Sequence, residues 1–515
     1  SSGNTVEKTS VNGQTKTITT GTDKDGKSFV SNDGVTNETA TDDFGRTTQV
    51  KTVRSDGTLV FNTDYEYANG KAENSTTNLV SKYSQSYGSD SVLSYDYSYD
   101  NNGNITEIRQ NGKLINKYTY DSLNELKEEY DYVNKFYINY SYDGAGNLQN
   151  KYEQALDPNY GYPTGTQHGN TYEYTDTSWK DKLTKVNGSN ISYDANGNPL
   201  SYRDGMSFEW ENGRILKKIN TSDKSVQMSY DSNGMRTQKS VDGVKTNYYY
   251  DSSNNLFALT QGNDTLFFYY DNSGEVMSVS CNGTMYFYIK DLQGDITEIV
   301  DKDGKAVAEY AYDAWGNMLT ENNGTLTVGK LNPFRYRSYV YDEETGLYYL
   351  QSRYYDPFTG RFLNADVYAD TESGTTLSTN MFAYCENNCI NKSDVSGTVS
   401  TKLSIKAITY AQKYYAKPNP QYYYYRNGDC ANFVSQCLYA GKFSPMRGEW
   451  YSYRSKSTNW NGRYTYSVSE TWRISKKLRF WLVNKMHLTQ HLYTSWKSMK
   501  KDIKSIKIGA VAFMS

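Results

Sequence analysis

One short string recurs along this chain and dictates what it can fold into: Tyr-Asp-x-x-Gly-Asn. It reads YDNNGN from Tyr99, YDGAGN from Tyr142, YDANGN from Tyr193, YDSNGM from Tyr230 and YDAWGN from Tyr312. Weaker copies begin at Tyr120, Tyr250, Tyr270 and Tyr288, and worn ones precede Tyr99, as in DDFGR at 42–46 and YEYANGK at 65–71. FEWENGRI at 208–215 is a degenerate copy inside a wider gap. Alternating segments such as YSYD and TEIRQ flank the string, the period-two pattern of strands. Asp can cap a tight turn through its side chain, Gly supplies positive φ, and Asn tolerates it. A hairpin cannot bury its face alone, so such units must stack into a continuous sheet. Composition agrees: 53 of 515 residues are Tyr and only 37% are hydrophobic. That excludes a bundle rich in Leu and Ala, and no apolar run approaches the ~20 residues of a membrane-spanning helix. Tyr suits strands, where a ring face packs and the hydroxyl is expected to stay wet. Calcium binding by the Asp/Asn turns is disfavoured, because the loops fall short of the ~12-residue EF-hand spacing.

The repeats and the segment PFRYRSYVYDEETGLYYLQSRYYDPFTGRFLNAD at 333–366 resemble the RHS (YD-repeat) proteins and teneurins. The segment is similar to the RHS-associated core, and the resemblance spans roughly residues 40–397. It implies a mainly β fold whose hairpins spiral into a hollow shell enclosing the polypeptide that follows. The expected organisation is a YD-repeat shell region over 1–286, the core and its boundary motif over 287–397, and a smaller, incomplete α+β domain over 398–515.

NMFAYCENNCINKSDVSG at 380–397 is similar to the family's end motif. The resemblance implies that aspartates here act as an aspartic-protease pair that releases the C-terminal domain. The matching positions are Asp366 and Asp394. Neighbouring carboxylates that share a proton split into an acid and a base. The chain departs from the pattern at Cys389 and at Val367 and Val395, where the family often has Pro after Asp, and this loosens the backbone around Asp394. The alternative is that both aspartates cap turns at a domain boundary. Cys385 and Cys389 lack partner His or Cys residues, so no metal is expected there.

Net charge is −3, yet residues 401–515 carry 20 Lys and Arg against 4 Asp and Glu, +16, while residues 1–400 carry 35 against 54, −19. The two parts are expected to attract each other across the boundary near Gly397. In a chain cut there, high salt is expected to weaken their association, as a pull-down at rising ionic strength would read; an association insensitive to salt would contradict it.

In the basic part, YYYYRNGDCANFVSQCLYAG at 422–441 places a loop at Asn427–Asp429 and a helix from Cys430 to Ala440, closed by Gly441. Cys430 then sits in a first helical turn, where unsatisfied amides and the helix dipole lower a thiol's pKa. Cys437 falls on the apolar face with Phe433, Val434 and Leu438, as a buried cysteine would. The string NGDCANFVSQCLYAG resembles an amidase-domain family of Gram-positive bacteria, related to papain-like and NlpC-like peptidases. The resemblance implies Cys430 as nucleophile, with Asp429 and Asn432 as motif neighbours, and a His base on a later strand. KIGAVAFMS at 507–515 resembles the beginning of that strand, so the His is expected beyond Ser515 and the chain as given is expected to be inactive. His487 and His491 are spaced i,i+4 in a basic helical stretch with no Glu or third ligand. No metal or other cofactor is expected.

Three functions follow from these readings. The first is an RHS-type polymorphic toxin, or cell-surface protein, carrying a cysteine amidase that acts on peptide or peptidoglycan amides. The second is an extracellular YD-repeat shell that adheres to carbohydrate or cell-wall polymers and bears an inactive tail. The third is a basic toxin directed at nucleic acid, against which stands the lack of an acidic or His cluster for phosphodiester cleavage. The expected location is secreted, or on the surface of a Gram-positive bacterium.

Overall fold

In each Tyr-Asp repeat the aspartate closes the turn. Asp100 Oδ1 accepts from the backbone N–H of Asn102 (2.8 Å) and Asn104 (2.9 Å), and its Oδ2 accepts from Asn104 Nδ2 (2.8 Å). Asp143, Asp194, Asp251 and Asp313 repeat the same three bonds. The Gly of the string takes positive φ, +84° at Gly103, and where it is missing Asn124 and Asn254 take +64°. The turns are structural, as their composition indicates. They alternate with two-residue turns such as Asn111-Gly112, Asp242-Gly243 and Asn282-Gly283, both residues at positive φ, which matches the right-handed twist of the flanking strands.

Within each sheet the described strands therefore pair antiparallel with their neighbours in sequence. Sixteen strands from Thr5 to Asn190 form one sheet and fourteen from Ser192 to Asn322 form a second, both in strict chain order. The computed structural model describes residues 5–397, apart from 23–27, 33–34, 43, 45, 71–75, 88–90, 272–273, 367–375 and 395, together with the paired strands Ser452–Thr458 and Tyr464–Val468. The chain divides into two units, Ser1–Thr398 and Val399–Ser515.

The repeat tyrosines correct one expectation, because their hydroxyls do not stay in water. Tyr99, Tyr120, Tyr142, Tyr230, Tyr270 and Tyr312 each donate to the backbone carbonyl of a residue in the preceding repeat (Val80, Ile105, Leu126, Leu216, Leu256 and Ile296) at 2.6–2.8 Å. Each ring packs while its hydroxyl stitches one hairpin to the one before, at about 0.5–1.5 kcal/mol net per bond. The strand register shifts by one residue just before each of these tyrosines, as at Ser98/Tyr99 and Ala311/Tyr312, which turns the ring into the core.

Inside this unit the sheets share a core. Val35, Val60 and Phe61 of the first pack with Phe287, Ile289 and Val300 of the second. The segment after the last repeat is buried against both. It forms the short helix Thr327–Leu331 and a four-stranded sheet of Val340–Asp342, Leu347–Leu350, Arg353–Asp356 and Arg361–Phe362, in which Leu347, Tyr348 and Tyr355 are wholly buried. Buried charges pin it in place. Asp342 pairs with Arg236 (2.5 Å) and Lys239 (3.0 Å), and Lys239 also reaches Glu344 (2.8 Å).

Candidate functional site

The asparagine-rich segment behind the core docks on the repeat turns. Asn387 Nδ2 donates to Glu125 Oε1 and to the Gly146 carbonyl, both at 2.7 Å. Asn388 Nδ2 donates to Asn104 Oδ1 (2.9 Å), and Asn391 Oδ1 accepts the Ile105 N–H (2.8 Å). Turns from three successive repeats thus hold one segment, each buried amide finding a partner. Burial pushes the Cys385 thiol up to about 12 and Cys389 well above its ordinary value, so neither is a thiolate at neutral pH.

This docking delivers Asp394. Its backbone N–H donates to Tyr339 Oη (2.7 Å), and Tyr339 Oη in turn lies 3.0 Å from Tyr384 Oη. Asp366 arrives from the other side, its N–H bonded to the Met381 carbonyl (3.0 Å). Both carboxylates meet the same guanidinium nitrogen: Arg353 Nη2 is 3.0 Å from Asp366 Oδ2 and 3.6 Å from Asp394 Oδ2. Arg353 is 3% exposed and lies 3.5 Å over the Phe362 ring. Burial pulls its pKa down to about 10 against the two aspartates, so it is a cation at neutral pH.

The same guanidinium also touches the backbone. Arg353 Nε donates to the Gly397 carbonyl (2.6 Å), and Ser352 Oγ lies 2.7 Å from that oxygen and 2.7 Å from the Ser396 carbonyl, its one hydrogen shared between them. Gly397 has φ +66°, and a Cβ there would lie 2.6 Å from the Leu350 carbonyl oxygen, so this close approach requires glycine. An open cavity of about 380 Å³ adjoins the site, lined by Trp210, Arg214, Tyr230, Ser352, Arg353 and Ser396. One cation thus contacts two carboxylates and the backbone carbonyl of Gly397.

Asp366 and Asp394 both lie against Arg353, each through its own contact to the guanidinium. Sequence reasoning missed Arg353, Ser352 and Tyr339. The available signal was a charged residue inside the otherwise aromatic run LYYLQSRYYD. Cys430, Asp429 and Asn432 lie outside the described residues, as do His487 and His491. Among the described residues no group of three or more His, Cys, Asp or Glu is placed to hold a metal ion.

Sequential hairpins closed by a core that docks on their turns define a repeat-built β-shell protein. The Teneurin YD-shell family model matches residues 131–390, and the chain belongs to that family. A second model, Putative amidase domain, matches residues 402–515. The tRNA nuclease WapA of Bacillus subtilis strain 168 is 38% identical over 244 residues, covering 46% of this chain. The chain spans 10% of that relative's length. Two solved structures share the fold. A TcdB2-TccC3-Cdc42 crystal structure aligns with a TM-score of 0.54 at 18% identity, covering 75% of this chain and 22% of that one. The Tc holotoxin pore of Photorhabdus luminescens aligns with a TM-score of 0.53 at 17% identity, covering 74% and 21%.

Proposed function

We propose that this chain is the shell-and-passenger part of an RHS-type polymorphic toxin, whose core cuts the backbone behind Gly397 and frees a C-terminal cysteine amidase. The observation that carries this reading is the single guanidinium that joins Asp366, Asp394 and the Gly397 carbonyl, five residues before the stretch that matches the amidase model. In the cutting step a water oxygen adds to the Gly397 carbonyl carbon, and one aspartate takes the proton that the water loses. The oxygen that becomes negative faces Arg353 Nε and Ser352 Oγ. The C–N bond to Thr398 then breaks, the departing nitrogen takes the proton back, and the products are a Gly397 carboxylic acid and a Thr398 amine, which exchange the remaining proton to end as carboxylate and ammonium. The second aspartate stays paired with Arg353 and holds it against the carbonyl.

In the freed domain Cys430 is the nucleophile, attacking a peptide or peptidoglycan amide, with Asp429 and Asn432 beside it. The setting is secretion by, or display on, a Gram-positive bacterium. The passenger is tested in a chain continued beyond Ser515. Cys430→Ala is expected to abolish amide hydrolysis and toxicity together, and full activity of that variant would exclude the cysteine mechanism. A second reading, a passenger acting on nucleic acid, is favoured by its +16 charge and by the tRNA nuclease activity of the WapA relative. It requires toxicity without Cys430 and affinity for RNA that falls steeply with salt.

A further inference from the structure

The strap from Asp394 to Gly397 is fastened at both ends by hydroxyl groups that belong to neither the carboxylate pair nor the cation. At one end Tyr339 Oη accepts the Asp394 N–H at 2.7 Å. At the other, Ser352 Oγ lies 2.7 Å from the Ser396 carbonyl oxygen and 2.7 Å from that of Gly397, while the Ser352 backbone N–H reaches the Ser396 carbonyl at 3.3 Å. The approach at Gly397 is close, since a Cβ there would meet Ser352 Oγ at 2.8 Å.

From this geometry we infer that Tyr339 and Ser352 are positioning residues for self-cleavage: Tyr339 sets the backbone from which Asp394 reaches Arg353, and Ser352 holds the carbonyl to be attacked. The inference rests on the self-cleavage proposed above and deepens it. Ser352 is the second donor to the oxygen on which negative charge develops, and it comes from a neutral side chain where Arg353 supplies the charged one. Tyr339 itself is fixed by Tyr384 Oη and by edge-on packing against Tyr336, Tyr348 and Tyr384, so the hydroxyl that meets Asp394 is held from several sides. Removing either hydroxyl leaves the ring or the methylene in place and takes away one fastening. A displacement of about 1 Å in an aligned centre costs on the order of a hundredfold in rate.

The test is the rate at which freshly translated, pulse-labelled 1–515 chain converts to its fragments. Tyr339→Phe and Ser352→Ala are each expected to slow it about tenfold to a hundredfold, with the melting temperature of the shell retained. Ser352→Thr, which restores the hydroxyl while adding a methyl group, is expected to return the rate to within a few-fold of the parent. Asp394→Asn is run alongside. If it abolishes cleavage while Tyr339→Phe and Ser352→Ala both cleave at the parent rate, the positioning roles are overturned and the aspartate reading stands. If Ser352→Thr is as slow as Ser352→Ala, packing rather than the hydroxyl is at work and the role of Ser352 is overturned. If Asp394→Asn itself cleaves at the parent rate, the self-cleavage reading fails and this inference with it.

Discussion

Changing Asp394 to Asn is expected to slow self-cleavage by about two to four orders of magnitude, the usual contribution of a positioned acid or base, and Asp366→Asn is expected to do the same, since one carboxylate moves the proton and the other holds Arg353 against the carbonyl. An amide cannot take the proton of the attacking water, yet its oxygen still accepts from Arg353 Nη2, so the strap and the core remain in place. The two carboxylates meet one guanidinium and act as a unit, so the double variant is expected to be little slower than either single one. Gel analysis of pulse-labelled chain reads all three rates. An Asp394→Asn chain that cleaves within a few-fold of the parent would remove the aspartates from the mechanism.

The largest expected loss of stability is at Asp342. Its carboxylate is 1% exposed and faces Arg236, which is wholly buried, and Lys239. Burial alone would raise its pKa, but Arg236 and Lys239 outweigh burial and hold it below the ordinary carboxylate value. Asp342→Ala strands Arg236 in a desolvated core and leaves Lys239 with Glu344 alone, and breaking a buried pair from one side costs about 3–5 kcal/mol. Arg236 also lies over the rings of Tyr248 and Tyr349, so the loss spreads from the core sheet into the second repeat sheet. The sign with pH follows from the depressed pKa. The stabilisation is present above the unfolded value, roughly pH 4, and is lost as pH falls through the lower folded value. Urea denaturation of the shell is expected to show a clearly lowered midpoint for Asp342→Ala at pH 7 and a smaller difference from the parent in strong acid. A midpoint at pH 7 equal to the parent's would contradict the pinning role.

The repeats were legible in the sequence because their chemistry is local. Asp, Gly and Asn of one string bond to one another within four residues, so spacing alone assigns the role of each. Even the weak copy at Tyr120 makes the turn, since Asn124 accepts the positive φ, and its departing residue, Glu125, binds Asn387. The tyrosine hydroxyls were misjudged because their acceptors lie a whole repeat away, as Tyr99 to Val80, where no periodicity points. Asp366 and Asp394 were visible only through resemblance to a known family. Arg353 was invisible because it sits in a strand among aromatics, and its meaning arises only when residues 353, 366, 394 and 397 are brought to one place.

The central claim, that the core cuts the chain where the shell unit ends, is tested most directly by intact-mass spectrometry of the purified 1–515 chain over time, with no protease added. The prediction is loss of the full-length mass and growth of two species, one ending at Gly397 and one beginning at Thr398. A chain that keeps its full-length mass throughout, or breaks at a point remote from Gly397, would contradict it.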